Sequence, residues 1–446
     1  MTNPTAARTL AGQTPAKRNR YADFLRAASI LVVVFGHWLM AAPFLGAHGL
    51  QGNHLLNEVP EIQAVTWVLQ VMPVFFFVGG FANAAAWRSA RRRAVPYSAW
   101  LRGRLRRLVN PVLPLVVVWS VGAAVLIQTG IDPDTLRLAS QAALVPVWFL
   151  AVYVLVVSLA PLSLLAWERY GWWSFGVPAA LAGLVDLVAI GGDVDWFGYI
   201  NYLLVWCAVH QLGYAWADGR FGGLRQRLAW AGVGFGVTAA LVGFGPYPLA
   251  MVGLATDQVA NSQPPKVTLV ALAVFQIGLA LALEPRTERF LQRRRPWTAT
   301  VAISSMIMTV YLWHMTAMVA LIGGLLALDG FGLRIPVGSG GWWASRLPWL
   351  ATLASVTAPF VIWFSRYERP GPDNRPAPPA WRPVLAAVSV CGGLGLLAYA
   401  GIADQEGLNG LALSLPFVGA LVGGIVGARY WLFRRGTRRP TAGRAR

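Results

Sequence analysis

The sequence predicts an all-α integral membrane protein with about twelve transmembrane helices and both termini in the cytoplasm. Three observations support this fold class. The 446 residues are 56% hydrophobic and only 12% charged, with a mean hydropathy of +0.53, whereas about 25% of the residues of soluble domains are charged. Apolar runs long enough to match a hydrocarbon core of about 30 Å recur along the chain. Basic residues collect in alternate connections between these runs.

The apolar runs number twelve, and a proline-rich segment separates the first ten from the last two. They lie at residues 25–46, 63–86, 109–128, 144–166, 172–190, 196–214, 229–244, 268–283, 300–328, 348–364, 383–402 and 413–433. No small-residue cleavage site follows the first run, so it is expected to remain in the membrane. The predicted organisation is a basic cytoplasmic tail at 1–20, a ten-helix membrane core at 21–366, a cytoplasmic linker at 367–382, two additional helices at 383–433 and a basic cytoplasmic tail at 434–446.

The distribution of lysine and arginine predicts the orientation. With a cytoplasmic N-terminus, 32 of the 37 basic residues fall in cytoplasmic segments, as the positive-inside rule requires. Arg26 lies within the first run, and the outer loops contain Arg137, Lys266, Arg334 and Arg346. This alternation predicts a multi-pass protein of the plasma membrane, with the lipid bilayer as its surroundings. The oligomeric state stays open.

Composition also argues against several classes of partner. The net charge is +19, but the basic residues form short clusters between apolar runs and no single basic face, so nucleic acid is not an expected partner. Both cysteines, Cys207 and Cys391, lie in apolar runs, so no disulfide scaffold or cysteine metal site is expected. The histidines show no metal-type spacing, so the sequence predicts no bound metal.

Two predicted cytoplasmic loops contain arginine-rich amphipathic segments. In the first, YSAWLRGRLRRL at residues 97–108, an apolar helical stripe that includes Trp100 and Leu105 opposes arginines at 102, 104, 106 and 107. The second is ERFLQRRRPW at residues 288–297. Such segments anchor a protein to lipid headgroups. The alternative is that arginines such as Arg104 and Arg107 also form the mouth of a site for a polyanionic ligand.

The first run contains an arginine and a histidine, which are costly groups in a bilayer and therefore candidates for function. Arg26 and His37 are eleven residues apart, a spacing that returns a helix to within about 20° of its starting direction while it rises about 16 Å. They are predicted to share one helix face, with Arg26 at the cytoplasmic edge. Asp23 lies three residues before Arg26 and is expected to pair with it. Snorkelling for Arg26 and helix bridging for His37 stay open as alternatives.

Four motifs in this order resemble the membrane acyltransferase 3 family, the O-acyltransferases of envelope glycans and some antibiotics. The segment RYADFLR at residues 20–26, with His37 eleven residues after Arg26, resembles the family's D-x-L-R lead and R-x10-H signature. The other three are FFFVGGF at 75–81, WFL at 148–150 and YLWH at 311–314. The resemblance covers residues 18 to 366 and implies a ten-helix core. Two departures are Gly79, where the family usually has serine, and the segment at 307–309, which replaces a common S-Y-S.

The resemblance implies transfer of a short acyl group, most simply acetyl, from acyl-CoA to a hydroxyl of a carbohydrate, glycolipid or glycosylated metabolite. On this hypothesis His37 is the general base, since a neutral imidazole accepts a proton at working pH. Arg26, oriented by Asp23, would bind the phosphate end of the donor. An acyl-imidazole intermediate is a less favoured variant. The further predicted substrate-binding residues are His314, Trp148, Tyr311, Trp313, Arg104 and Arg107.

Other interpretations and candidate residues remain. Twelve helices with a charged first helix are also typical of a secondary transporter, and a flippase without catalysis is a third class. Bridging roles in helix packing stay open for His314, and interfacial anchoring stays open for Trp148. Weaker polar candidates lie in the first outer loop, around the fifth run and in the sixth run: His48, His54, Glu58, Glu61, Asp186, Asp193, Asp195 and His210.

Overall fold

The computed structural model describes residues 18–47, 49–253, 259–368, 371, 373–404 and 407–425, and this part of the chain is mostly helical. Its α-helices are α1 (Arg20–Met40), α2 (Leu55–Glu58), α3 (Thr66–Leu69), α4 (Met72–Arg92), α5 (Tyr97–Val109), α6 (Val112–Gln128), α7 (Pro133–Tyr170), α8 (Trp173–Gly191), α9 (Asn201–Ala217), α10 (Leu224–Phe244), α11 (Thr268–Leu291), α12 (Arg294–Ser304), α13 (Ile307–Ala327), α14 (Gly340–Phe364), α15 (Trp381–Ala400) and α16 (Gly410–Val422). Two short antiparallel hairpins consist of β1 (Ala41–Gly46) with β2 (Gly49–His54), and β3 (Ala403–Asp404) with β4 (Gly407–Leu408). Short 3₁₀ segments occur at Pro60–Val65, Asp195–Ile200 and Ser365–Tyr367.

The helices confirm a multi-pass membrane protein. Among the described residues, nine are long and apolar enough to cross a bilayer, or ten if α5 and α6, which meet at a 44° bend, form one broken span. Helix α9 has 17 residues and α16 has 13, so both are short for a hydrocarbon core of about 30 Å. The count of twelve spans and the cytoplasmic position of both termini therefore stay predictions. The tail at 434–446 lies outside the described residues.

The first apolar run, predicted as one helix at 25–46, does not form a continuous helix. Helix α1 ends at Met40, and the chain continues as β1, which pairs with β2 in a register that places Ala41 opposite His54. Pro43 explains the end of the helix, because proline supplies no backbone N–H and disfavours helical geometry in the residue before it. The hairpin is fixed to the loop after α13, since Leu45 N donates to the Leu333 carbonyl at 2.8 Å.

The ninth apolar run also differs from its predicted extent of 300–328. The helix is interrupted between Ser304 and Ile307, so that α13 begins inside the predicted run. Glu368 supports this new N-terminus. Its carboxylate accepts hydrogen bonds from the backbone N–H groups of Met308 and Thr309 at 3.1 and 3.3 Å, and an acidic group is favourable at this end of a helix.

Helix α1 lies inside the bundle, where it contacts α4, α11, α12, α13 and α14. Glycine allows a close approach between α4 and α9. A Cβ atom on Gly80 would lie 2.0 Å from the His210 carbonyl oxygen, and one on Gly213 would lie 2.1 Å from the Phe77 carbonyl oxygen. Gly80 of FFFVGGF and Gly213 of α9 therefore mark a helix contact in which only a hydrogen atom fits at either position.

The arginine-rich segment at 97–108 forms a helix, α5, as predicted. The arginines of this helix do not all face water, however. Arg102 is buried and donates to the Pro376 and Arg375 carbonyls at 2.8 and 2.9 Å. It also pairs with Asp373 at 2.9 Å. Burial opposes ionisation of Asp373, yet the guanidinium groups of Arg375, Arg102 and Arg106 hold the pKa of this carboxyl below its ordinary value. The proline-rich linker thus covers one side of α5.

The second arginine-rich segment, at 288–297, is divided between two helices. Helix α11 ends at Leu291 and α12 begins at Arg294, so the prediction of one amphipathic helix there is wrong. Trp297 is buried, and the guanidinium of Arg20 lies 5.0 Å from its ring centroid. The break places the tryptophan against the start of α1, inside the protein.

The two C-terminal helices pack against the rest of the bundle. Helix α15 contacts α7 along its length and also contacts α5, and α16 packs on α15. The Cys391 thiol lies 3.2 Å from the Ala151 carbonyl oxygen of α7. Helices α15 and α16 are therefore packed against the preceding helices of the bundle.

Candidate active site

A pair of histidines from α1 and α13 lies at the centre of the bundle. His37 Nδ1 is 2.9 Å from His314 Nε2, and the two rings are nearly parallel at 15° with centroids 5.2 Å apart. His314 is fully buried, whereas His37 is partly exposed. Because the imidazole of His37 bonds to a buried side chain of another helix, it points into the protein and not into lipid.

Hydrogen-bond partners determine where the protons of the pair lie. His314 Nδ1 is 2.6 Å from the Tyr311 carbonyl oxygen, which can only accept, so this nitrogen carries the hydrogen. In a neutral imidazole the other nitrogen is then an acceptor, and His314 Nε2 receives the Nδ1–H of His37. His37 Nε2 is left with a lone pair. Among the described residues it has no hydrogen-bond partner.

Indole groups hold the backbone around the pair. Trp38 Nε1 donates to the His314 carbonyl at 3.1 Å, and Trp349 Nε1 of α14 donates to the Trp38 carbonyl at 2.9 Å. Three helices are thereby joined at the level of the two imidazoles. Such cross-helix hydrogen bonds fix the rotational position of α1, which determines where His37 points.

A continuous series of aromatic contacts leads away from the histidine pair. Tyr311 lies 5.8 Å from His314 and 5.4 Å from Phe149, measured between ring centroids. Phe149 in turn lies 5.0 Å from Phe75 and 5.6 Å from Tyr153. These rings come from α4, α7 and α13, so residues of all four sequence motifs meet around one site. We call this series the aromatic wall.

Two arginines, Arg26 of α1 and Arg104 of α5, are the predicted basic groups of the site. Arg26 pairs with Asp23 at 3.0 Å, as predicted from their spacing, and Asp23 also pairs with Arg18 at 2.5 Å. The side chain of Arg26 remains 35% exposed, and it lies three helical turns before His37 on α1. The guanidinium of Arg104 lies 5.5 Å from the Trp100 ring centroid.

The structure places the other predicted site residues away from the pair. Trp313 is fully buried and stacks on Phe360 and Phe364, with centroids 5.0 and 4.1 Å away. Trp148 contacts Phe149, with ring centroids 6.3 Å apart, and lines a separate cavity of about 1000 Å³ together with Tyr202 and Cys391. Arg107 is exposed on α5. Their roles in substrate binding stay predictions.

Some residues of the site were not foreseen from the sequence. Tyr153 extends the aromatic wall, since its ring lies 5.5, 5.7 and 5.6 Å from those of Phe75, Phe76 and Phe149, measured between centroids. Asn83 Nδ2 is 3.1 Å from His210 Nε2. Spacing could have identified both, since Tyr153 follows Phe149, and Asn83 follows Gly79, by four residues, which places each on the same helix face as a motif residue.

No cluster for a metal ion occurs in the described ranges, where no three His, Cys, Asp or Glu side chains lie close enough to hold one. The arrangement instead offers a neutral nitrogen base at one end and fixed positive charge at the other. This combination suits the transfer of a group from an elongated anionic donor to a hydroxyl.

Comparison with known families identifies the class of protein as a membrane acyltransferase. The model of a family described as an acyltransferase domain matches residues 19–366, most of the 446-residue chain. The chain therefore belongs to the membrane acyltransferase 3 family, and the resemblance in its motifs is confirmed. Comparison with curated proteins and comparison with solved structures each returned no match. The matched region contains the histidine pair, the aromatic wall and both arginines, while α15 and α16 follow it.

Proposed function

We propose that this protein is an O-acyltransferase that moves a short acyl group, most simply acetyl, from acyl-CoA to a hydroxyl of a carbohydrate, glycolipid or glycosylated metabolite. The observation that carries the proposal is the histidine pair. Its hydrogen bonds leave His37 Nε2 as an unshared acceptor, and His37 is partly exposed while its partner is buried. General base catalysis of acyl transfer to an alcohol requires an accessible group with a free lone pair, and an imidazole nitrogen is the most frequent choice.

In this mechanism the proton of the acceptor hydroxyl moves to His37 Nε2 as the oxygen attacks the thioester carbonyl carbon. The tetrahedral oxyanion then collapses, the carbon–sulfur bond breaks, and the thiolate takes the proton back from the imidazolium of His37. The products are an ester and free CoA thiol. His314 accepts the Nδ1–H of His37, so the imidazolium that forms between the two steps keeps this hydrogen bond at Nδ1.

The donor is proposed to lie along the aromatic wall with its phosphates toward Arg26 and Arg104. Guanidinium groups bind phosphate oxygens with paired N–H donors, and Arg104 forms no ion pair with any described carboxylate. The distance along α1 from Arg26 to His37 corresponds to about 16 Å of helix, a length that an extended pantetheine arm spans. The acceptor then approaches His37 from the side of the β1–β2 hairpin.

The proposal is tested with membranes that contain the protein, labelled acetyl-CoA and a measurement of both free CoA thiol and labelled product. Exchange of His37 for Ala or Gln should lower kcat by about 100-fold to 10,000-fold, the usual contribution of a general base. Val32→Ala, on another face of α1, is the control and should keep full activity. Release of CoA by H37A at the wild-type rate would refute the assigned base, and absence of any thioester consumption by the wild type would refute the enzyme.

A further inference from the structure

Arg346 of α14 differs from the other three basic residues of the predicted outer loops. Those three each pair with an acidic side chain: Arg137 with Asp134, Lys266 with Asp186, and Arg334 with Asp329. No carboxylate in the described part of the chain pairs with the Arg346 guanidinium. Because an unpaired cation is costly in a membrane-spanning helix, a function is expected for it.

Two indole rings hold the Arg346 guanidinium in place. Its Cζ atom lies 4.1 Å from the Trp342 ring centroid and 5.2 Å from that of Trp349. Nε donates to the Trp342 carbonyl at 3.3 Å, and Nη2 donates to the Ser345 hydroxyl at 3.1 Å. Nη1 is buried and has no acceptor among the described residues. The free N–H groups therefore lie on Nη1 and Nη2, the edge that binds a carboxylate or phosphate with paired hydrogen bonds.

Arg346 lines a cavity of about 150 Å³ beside the β1–β2 hairpin. Pro43 of β1 and Leu333 of the loop after α13 contribute to its wall, and Ser345 adds a hydroxyl. Of the described residues that line the cavity, Arg346 is the only charged one. The cavity is larger than the space that one buried water needs, so a carboxylate or phosphate group has room beside the guanidinium.

One indole ring separates this cavity from the candidate active site. Trp349 lines the cavity and donates from Nε1 to the Trp38 carbonyl at 2.9 Å. Trp38 follows His37 in α1 and donates to the His314 carbonyl at 3.1 Å. An anionic group bound to Arg346 is therefore held near the histidine pair, on the side from which the acceptor is proposed to approach.

We propose that Arg346 binds a carboxylate or phosphate group of the acceptor, so that the substrate is an acidic sugar or a sugar phosphate whose hydroxyl is presented to His37. This inference rests on the proposed acyl transfer. It assigns a negative charge to the acceptor. The two indole rings cover the faces of the guanidinium and leave its edge for the anion.

Binding of small probes tests the anion site. With the purified full-length protein in phosphatidylcholine nanodiscs, saturation-transfer NMR compares glucuronate and glucose 1-phosphate with neutral glucose. The wild type should bind at least one anionic probe about 10-fold more tightly than glucose. Arg346→Gln should raise the Kd of that probe by roughly 10-fold to 100-fold, the loss expected for hydrogen bonds to a charged group, and leave the Kd of glucose unchanged. The preferred probe distinguishes carboxylate from phosphate.

Two further variants control for charge and packing. Arg334→Gln should leave all three Kd values unchanged, because the Arg334 side chain is 62% exposed and pairs with Asp329. Arg346→Lys keeps the charge but loses the planar fork, so it should still prefer the anionic probe, with weaker affinity. If Arg346 served packing alone, R346Q would weaken binding of glucose and of the anions alike and would melt at a lower temperature.

An anionic lipid headgroup has the same chemistry, and the composition of the nanodisc separates it from the acceptor. At an ionic strength that screens the surface potential, both anionic probes should bind equally well with and without phosphatidylglycerol in the nanodisc. Loss of probe binding when phosphatidylglycerol is present would assign Arg346 to a lipid headgroup and overturn its role toward the acceptor.

The outcomes separate this inference from the proposed function. Thioester consumption by membranes tests acyl transfer by itself. If the wild type binds neither anionic probe more tightly than glucose, or if R346Q binds them as the wild type does, the role of Arg346 is overturned while acyl transfer stands. If the anion binds through Arg346 but no thioester is consumed, the acyl transfer is what fails, and the anion site remains.

Discussion

His314 and His37 differ in what their ring nitrogens contact. Both nitrogens of His314 are used within the protein, one toward the Tyr311 carbonyl and one toward His37. His37 uses one nitrogen and keeps the other. This asymmetry supports the proposal that His37 is the base and that His314 fixes its tautomer and orientation, since the partner of one ring nitrogen of a histidine determines which nitrogen carries the proton.

Replacement of His314 should therefore impair catalysis without preventing donor binding. In His314→Phe the Nδ1–H of His37 has no acceptor, and an unpaired buried donor costs about 1–3 kcal/mol, which corresponds to roughly 5-fold to 150-fold in kcat. His314→Gln supplies an amide oxygen and should retain more activity. The measurement is kcat at saturating acetyl-CoA, with Val32→Ala, on another face of α1, as a control. An unchanged kcat in H314F would exclude the positioning role.

Arg26 should affect the donor and not the chemistry. Arg26→Ala is expected to raise the KM for acetyl-CoA by between about 10-fold and 100-fold, as expected for a lost charge-assisted hydrogen bond, while kcat changes little. Asp23 keeps Arg18 as a partner in this variant, so the start of α1 remains supported. Arg137→Ala, near the start of α7 where Arg137 pairs with Asp134, should leave both constants unchanged. A fall in kcat alone would assign Arg26 to the reaction centre instead.

Much of the site was predictable at the level of single residues, but their pairing was not. The spacing of Arg26 and His37 and the motif that contains His314 are local features of the sequence. The contact between His37 and His314 joins residues 277 positions apart and depends on how α1 packs against α13. The same packing makes Trp313 point away from the site and stack on Phe360 and Phe364.

At the scale of elements, small residues determine how closely helices approach. Prediction from apolar runs places the helices well, because burial in lipid requires continuous hydrophobic segments. It places their ends less well, since the end of α1 depends on Pro43 and the break before α13 depends on a distant carboxylate, Glu368. Neither interruption changes mean hydropathy, so a hydropathy pattern contains no sign of it.

The contact of α4 with α9 should be intolerant of any side chain at Gly80. A Cβ there would overlap the His210 carbonyl oxygen, so Gly80→Ala should force the helices apart and cost about 1–3 kcal/mol or more. Gly103→Ala in α5 is the matched control, because nothing lies within 4 Å of a Cβ at that position and alanine is the better helix former. Thermal unfolding in detergent measures both. Equal melting temperatures for G80A and the wild type would show that this contact is not tight.

At the scale of the whole molecule, the distribution of charge predicts the orientation in the membrane. The arginines at the end of α4 and those within α5 lie on one side of the helix bundle. The β1–β2 hairpin lies on the other side. The positive-inside rule assigns the first side to the cytoplasm. Hydropathy and charge together thus predict the architecture, whereas the convergence of α1, α4, α7 and α13 on one site requires the packed structure.

Cysteine labelling should reveal this orientation directly. In a variant with Cys207 and Cys391 replaced by serine, Gln51→Cys in the hairpin should react with a membrane-impermeant maleimide on intact cells. Arg93→Cys, at the exposed end of α4, should react only after the membrane is opened, because charged reagents do not cross the hydrocarbon core. Labelling of position 93 on intact cells would reverse the assigned topology.

The burial of Arg102 under the proline-rich segment links the C-terminal part of the chain to the helices that precede it. Its guanidinium pairs with the carboxylate of Asp373 and donates to the carbonyls of residues 375 and 376, all of which come after the region that matches the family. A chain cut at residue 366 would lose this counter-ion and the cover over Arg102, on the same short helix that carries Arg104. The matched region and the C-terminal extension are therefore joined by an ion pair that neither part supplies alone.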